Sequence, residues 1–239
     1  MDIRAGLEAI ADPAYRDFQA KLVPTVAPDR ILGVRIPALR KFARALWRDR
    51  RAEALAFLDQ PLPHGTYDEM NLHAELIGHA AGTVEEAFSL LEAFLPAVDN
   101  WATSDLIRVP AFKRDLPRVL ERLNAWMRAT GGGTEYLVRF AVTQLMELYL
   151  GDAFEPEQLR WVAAIARPEY YVNMARAWYF SYALIKQPEA TLPLFEERRA
   201  DGSTIIDAWT HNASLQKARE SRRIDPELKT RLQALRVRR

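Results

Sequence analysis

The chain contains no cysteine. That excludes a disulfide framework, a thiolate metal site and a cysteine nucleophile. Glycine is scarce, ten in 239 residues, and three of the ten form one turn, Gly131-Gly132-Gly133. No glycine-rich phosphate loop, dinucleotide fingerprint or Gly-x-Ser-x-Gly elbow is present, so phosphoryl transfer, redox work and serine hydrolysis have no motif to rest on. The four histidines, His64, His73, His79 and His211, lack metal-ligand spacing: His73 and His79 are six apart and point to different helix faces. No metal and no cofactor is therefore expected. Long hydrophobic runs are missing too, none approaching the roughly 18 residues of a membrane span, and the first residues show no basic-then-apolar pattern. The expectation is a soluble cytoplasmic protein. An excess of one charge is also absent, the net charge being +1.

What the chain does have is helical periodicity. Hydrophobic residues make up 49% of it, enough for one large core or a continuous repeat core. Segments Leu39–Trp47, Ala74–Ala81, Leu116–Met127, Tyr136–Leu150 and Tyr171–Ile185 carry apolar residues three and four apart. No stretch alternates long enough for a half-buried strand. Pro13, Pro37, Pro110, Pro156, Pro168 and Pro226 stand where helices begin. Breaks near 24–36, 60–66, 82–84, 128–134, 151–156 and 200–204 leave about a dozen helices with short connections. No linker is long enough to divide the chain. The expected architecture is all-α, a superhelical stack of HEAT-like antiparallel helix pairs forming a single domain over residues 1–239.

Four side chains recur at nearly one interval: Trp101, Arg139, Trp178 and Lys217, separated by 38, 39 and 39 residues. In an all-helical chain that interval matches one helix-pair repeat, and equivalent positions of stacked repeats share a surface. Two indoles and two cations on one track suit a phosphate backbone and its bases. Asp105 follows Trp101 by four residues, one turn of the helix that Asp99 or Asn100 caps, so indole and carboxylate lie side by side. A packed tryptophan beside a capping aspartate would give the same spacing. Arg139 sits on an otherwise apolar helix and requires a partner, either an internal acid such as Asp105 or Glu147 or an external phosphate. Tyr171, Met174 and Trp178 follow one stripe, whereas Tyr179 and Phe180 read as core.

Positive charge is concentrated late. Residues 211 to 239 hold nine Lys/Arg against three acids, and a basic C-terminal tail runs over about 226–239. His211, Asn212, Lys217 and Arg222 all donate hydrogen bonds and fit backbone contacts to DNA. A capped, salt-bridged helix, with Glu220 paired to Gln216, Lys217 or Arg223, accounts for the same segment.

Asp99-Asn100-Trp101-x3-Asp105, Arg139 in its apolar helix, Trp178 and Ile31-Leu32-Gly33-Val34-Arg35-Ile36-Pro37-x-Leu39-Arg40 together resemble the DNA alkylation repair family of AlkD type. The resemblance spans about residues 14 to 225. It implies a superhelix of HEAT-like repeats holding double-stranded DNA with alkylated bases in a basic concave groove. It further implies a monomer associated with the nucleoid. Enzymes of the family hydrolyse the glycosidic bond of cationic N-alkylated purines without turning the base into a pocket, unlike the usual extrahelical route. By this resemblance Trp101 and Trp178 contact the deoxyribose of the lesion, Asp105 is the catalytic carboxylate and Arg139 holds the DNA backbone. The segments around Tyr170-Tyr171 and Thr210-His211-Asn212 resemble a sister subgroup with a shortened N-terminal helical region.

The implied chemistry suits the side chains. An alkylated purine already carries positive charge and leaves without protonation. One carboxylate that stabilises the oxocarbenium-like sugar and orients water then suffices. Two other readings use the same scaffold: a DNA binder without turnover, and a protein-interaction scaffold on which the basic face is incidental.

Overall fold

A computed structural model describes residues 2–238. Among the described residues there are fourteen α-helices and no strand, only two isolated bridges. The helices are α1 (Ile3–Glu8), α2 (Pro13–Leu22), α3 (Ile36–Asp49), α4 (Arg51–Leu58), α5 (Tyr67–Ala80), α6 (Val84–Phe94) and α7 (Trp101–Leu106). They continue as α8 (Leu116–Met127), α9 (Glu135–Tyr149), α10 (Pro156–Ala163), α11 (Tyr170–Lys186), α12 (Pro188–Glu196), α13 (Ala208–Glu220) and α14 (Pro226–Ala234). Pro13, Pro156 and Pro226 each occupy a first helical position, where the missing N–H costs nothing. Pro110 opens a 3-10 turn instead, and Pro168 stands two residues ahead of α11. Thr66 with Glu69 and Thr83 with Glu86 form capping boxes that start α5 and α6. No helix is long and apolar enough to cross a membrane among the described residues.

The chain divides into two compact units, one ending at Val119 and the other beginning at Leu120, a boundary inside α8. In the first unit α5 packs against α3, α4, α6 and α7. The segment ahead of α3 is fixed from within: the Asp68 carboxylate accepts N–H bonds from Leu32 (2.6 Å), Gly33 (3.4 Å) and Val34 (2.7 Å). Burial pushes this carboxyl above its ordinary value despite those donors. In the same unit His64 Nε2 and His73 Nδ1 are 2.9 Å apart, with Phe57 stacked on His64 and Phe94 on His73. Burial, helped by His64, pulls His73 down to about 3. The histidine pair is a neutral part of the core.

In the second unit α11 lies between α9 and α13, while α10 and α12 pack on each other and on α11. That two-layer arrangement explains why α9 and α11 are apolar nearly all round. Phe140, Tyr149, Tyr179, Phe180 and Phe195 are fully buried there, as Tyr179 and Phe180 were expected to be. Each of the phenylalanine rings stabilises the fold by about 1.5–3 kcal/mol relative to exposure. α10, α11 and α13 are tied together by Arg176, only 2% exposed. Its guanidinium donates to the carbonyls of Val162 (3.1 Å) and Ala163 (3.2 Å), to Asn173 (2.8 Å) and to the Asp207 carboxylate (2.7 Å).

Candidate nucleic-acid interface

The candidate residues of the first unit lie on the short helix α7. Asn100 caps it, accepting from the Thr103 N–H at 2.8 Å and donating to the Thr103 hydroxyl at 3.0 Å. That hydroxyl donates in turn to Asn71 of α5 at 2.7 Å, and Asp99 pairs with Arg30 at 3.0 Å. A six-residue helix would not persist alone. The cap and these buried links hold it. Asn100, rather than Asp99, is thus the N-cap.

Trp101 is the first residue of α7 and half-buried. Its ring packs on the cluster of Val23, Val26, Ile31 and Tyr67, and its N–H donates to the Leu22 carbonyl at 3.0 Å. The indole is therefore fixed in orientation with part of its surface still open. Asp105 is one turn further and also half-buried. The chain then leaves α7 across α5 at Gly78, where any Cβ would run into the Arg108 carbonyl. Gly78 thus sets how closely the segment behind Asp105 approaches α5.

The second unit carries its own candidate residues. Trp178 is half-exposed on α11, on a stripe with Tyr171, Met174, Tyr182 and Ile185 that is half-exposed throughout. Its ring meets Tyr182 edge-on, centroids 6.2 Å apart. Trp178, Tyr182, Lys217, Glu220 and Arg223 line a groove of about 360 Å³. Two expected site residues, Trp178 and Lys217, are thereby brought together. Sequence reasoning missed Tyr182 and Arg223 as walls of this groove, although Tyr182 follows Trp178 by four residues and shares its face. Glu220 accepts from Gln216 at 3.1 Å, one of the pairings its spacing allowed.

The expected donor cluster splits. Lys217 and Arg222 face outward, but His211 is fully buried and Asn212 is 5% exposed. His211 Nε2 lies 2.9 Å from the Leu235 carbonyl. Asn212 donates to the Val237 carbonyl at 2.9 Å and accepts the Val237 N–H at 3.1 Å. These two side chains hold the segment after α14 against α13, and in this position they do not reach a phosphate. The basic tail is correspondingly organised: α14 carries Arg231, paired with Glu196, and buries Leu232.

Arg139 is 5% exposed and donates to the Tyr171 carbonyl at 2.7 Å, linking α9 to the start of α11. A main-chain oxygen is thus one of the partners that this buried guanidinium requires. One turn before it, burial and the nearby Glu169 push the Glu135 carboxyl up against the pull of Arg167 and Arg139.

The interval of 38 and 39 residues has a physical source that differs from the one expected. The helices α7, α9, α11 and α13 start 34, 35 and 38 residues apart, at 101, 135, 170 and 208. Trp101, Arg139, Trp178 and Lys217 are the first, fifth, ninth and tenth residues of those helices. The first two steps are thus one repeat plus one helical turn, and a full turn keeps a side chain on the same face.

No curated protein and no solved structure matches the chain. A family model described as DNA alkylation repair enzyme matches residues 3–190. The matched span includes Trp101, Asp105, Arg139 and Trp178 and stops short of Lys217, His211, Asn212 and Arg222. More than half of the sequence is covered, and the chain belongs to the DNA alkylation repair enzyme family.

Proposed function

We propose that the protein is a DNA glycosylase that releases positively charged N-alkylated purines from duplex DNA without extruding the base. Family membership carries the coarser part, a role in repairing alkylated DNA. The observation that supports the finer part is the pairing of Trp101 and Asp105 on one face of α7, both half-exposed, with the indole held by the Leu22 carbonyl. A fixed aromatic surface next to a carboxylate matches what departure of a cationic base requires.

The step is a hydrolysis. The bond between the sugar C1′ and the base nitrogen breaks, its electron pair goes to the base, and the base leaves neutral. Positive charge moves onto the sugar. Asp105 stabilises that charge and orients a water, which adds to C1′ and loses its proton to the carboxylate or to solvent. Trp101 offers the sugar an aromatic contact, and in the second unit Trp178 offers an aromatic face while Lys217 and Arg222 neutralise phosphates.

Base release from duplex DNA carrying 7-methylguanine tests this, with wild type compared to Asp105→Asn. Asn keeps the size and removes the charge, so release should slow by about 100- to 1000-fold while duplex binding persists. Equal release by both would end the assignment of Asp105. If wild type binds duplex with a steep salt dependence yet releases nothing, the protein is a binder on this scaffold. Absence of salt-dependent binding would leave the scaffold reading.

A further inference from the structure

A cavity of the second unit plays no part in the site described above. It encloses about 800 Å³, within the roughly 300–1,000 Å³ of small-molecule sites. Arg167, Arg176, Arg198, Arg199 and Arg238 line it, and among the described residues Asp207 is the single acidic side chain in its wall. Arg176 is two residues before Trp178, a rotation of about 200° around α11. The cavity and the Trp178 groove therefore open on different sides of that helix.

The charges within the cavity do not cancel. Asp207 is bound to Arg176 at 2.7 Å, and Arg167 is held by a two-pronged pair with Glu169. Arg198 donates to the carbonyls of Phe195 (2.9 Å), Glu196 (3.2 Å) and Glu197 (2.9 Å), and Arg199 to that of Ile205 (2.8 Å). A carbonyl fixes a guanidinium in place and leaves its charge intact. Asp201 lies close enough to Arg199 to feel its charge, but it stands outside the cavity wall and is engaged by the N–H and hydroxyl of Ser203. Two arginines are thus oriented by the main chain around a hollow that also holds Arg238. Ala163, Ala166, Pro168 and Ile205 supply small apolar wall beside them. Fixed cations next to apolar wall match a ligand with a phosphate at one end and a flat organic body at the other.

We propose that this cavity binds a nucleoside monophosphate, or another phosphate ester of that size, at a site separate from the DNA-facing groove. The phosphate meets Arg198 and Arg199, and the base lies against Ala166, Pro168 and Ile205. The proposal does not depend on glycosylase activity.

Calorimetric titration of the full chain with deoxyadenosine monophosphate tests it, with deoxyadenosine and inorganic phosphate run separately as its two halves. One saturable site is expected, tighter for the nucleotide than for either half. Arg199→Ala should weaken it by at least about tenfold. Ala166→Glu, which removes no hydrogen bond and places a negative charge in the cavity, should abolish it. Lys217→Ala should leave nucleotide affinity unchanged, and Arg199→Ala should leave duplex binding unchanged. Should Arg199→Ala fail to fold, Ala166→Glu decides alone. No saturable binding up to about 5 mM overturns the proposal, as does loss of binding in Lys217→Ala with retention in Ala166→Glu. Inorganic phosphate binding as tightly as the nucleotide overturns the nucleotide assignment. Weakened duplex binding in Arg199→Ala, with no nucleotide bound, makes the cavity a DNA contact and overturns it too.

Discussion

Single residues here are informative chiefly through what holds them. Trp101 and Asp105 are oriented less by their own helix than by neighbours remote in sequence: the Leu22 carbonyl, the Asn71 amide and the close approach at Gly78. Gly78 offers a direct test. A methyl group there meets the Arg108 carbonyl oxygen, which belongs to main chain and cannot swing aside. Gly78→Ala should therefore force the segment after α7 away from α5, costing about 1–3 kcal/mol. If Asp105 acts as proposed, base release should fall by more than stability accounts for, because the carboxylate moves with that segment. Thermal melts combined with single-turnover release measure both effects. A variant with unchanged melting temperature and release would show that the approach tolerates a side chain.

At the scale of elements, the Arg176 cluster joins three helices through one guanidinium. Arg176→Ala would remove a donor from each of the Val162 and Ala163 carbonyls and leave Asp207 without its ion-pair partner. Because Asp207 keeps access to water, a loss of about 2–4 kcal/mol is expected, below that of a fully buried pair. Urea unfolding checks it, and a loss under about 1 kcal/mol would mean that water replaces the clamp. The elements themselves were largely legible in the sequence. Leu116–Met127 was read with its observed bounds, and the proline starts hold at Pro13, Pro156 and Pro226. What the sequence concealed depends on partners far along the chain. Arg139 turns inward to a carbonyl 32 residues away, and His211 and Asn212 to main chain 24 and 25 residues away. Spacing reveals which residues share a helix face. It does not reveal what that face meets.

For the molecule as a whole, all four histidines titrate below their ordinary value, with burial the leading cause in each. The sign follows from linkage. As pH falls through 6.5, the unfolded chain takes up a proton that folded His73 refuses until about 3. Stability is thus complete above pH 6.5 and declines between 6.5 and 3, with His73 alone contributing about 2 kcal/mol of loss from pH 7 to pH 5. Asp68 and Glu135, both raised, oppose this decline toward the acid end. Urea midpoints at pH 7 and 5 should reveal the loss, and His73→Asn should flatten it; an equally steep wild type and variant would place the cause elsewhere. The drift of the Trp101 interval by a turn in each of its first two steps also has a consequence for how such chains can vary in length. Extra residues in a connection, such as residues 197–207 between α12 and α13, lengthen the interval without rotating the helix that follows. One residue inserted into α11 ahead of Trp178 would turn that indole by about 100° and take it off its face. Related chains should accordingly differ in loop length and agree, residue for residue, in the stretch from the start of α11 to its tryptophan.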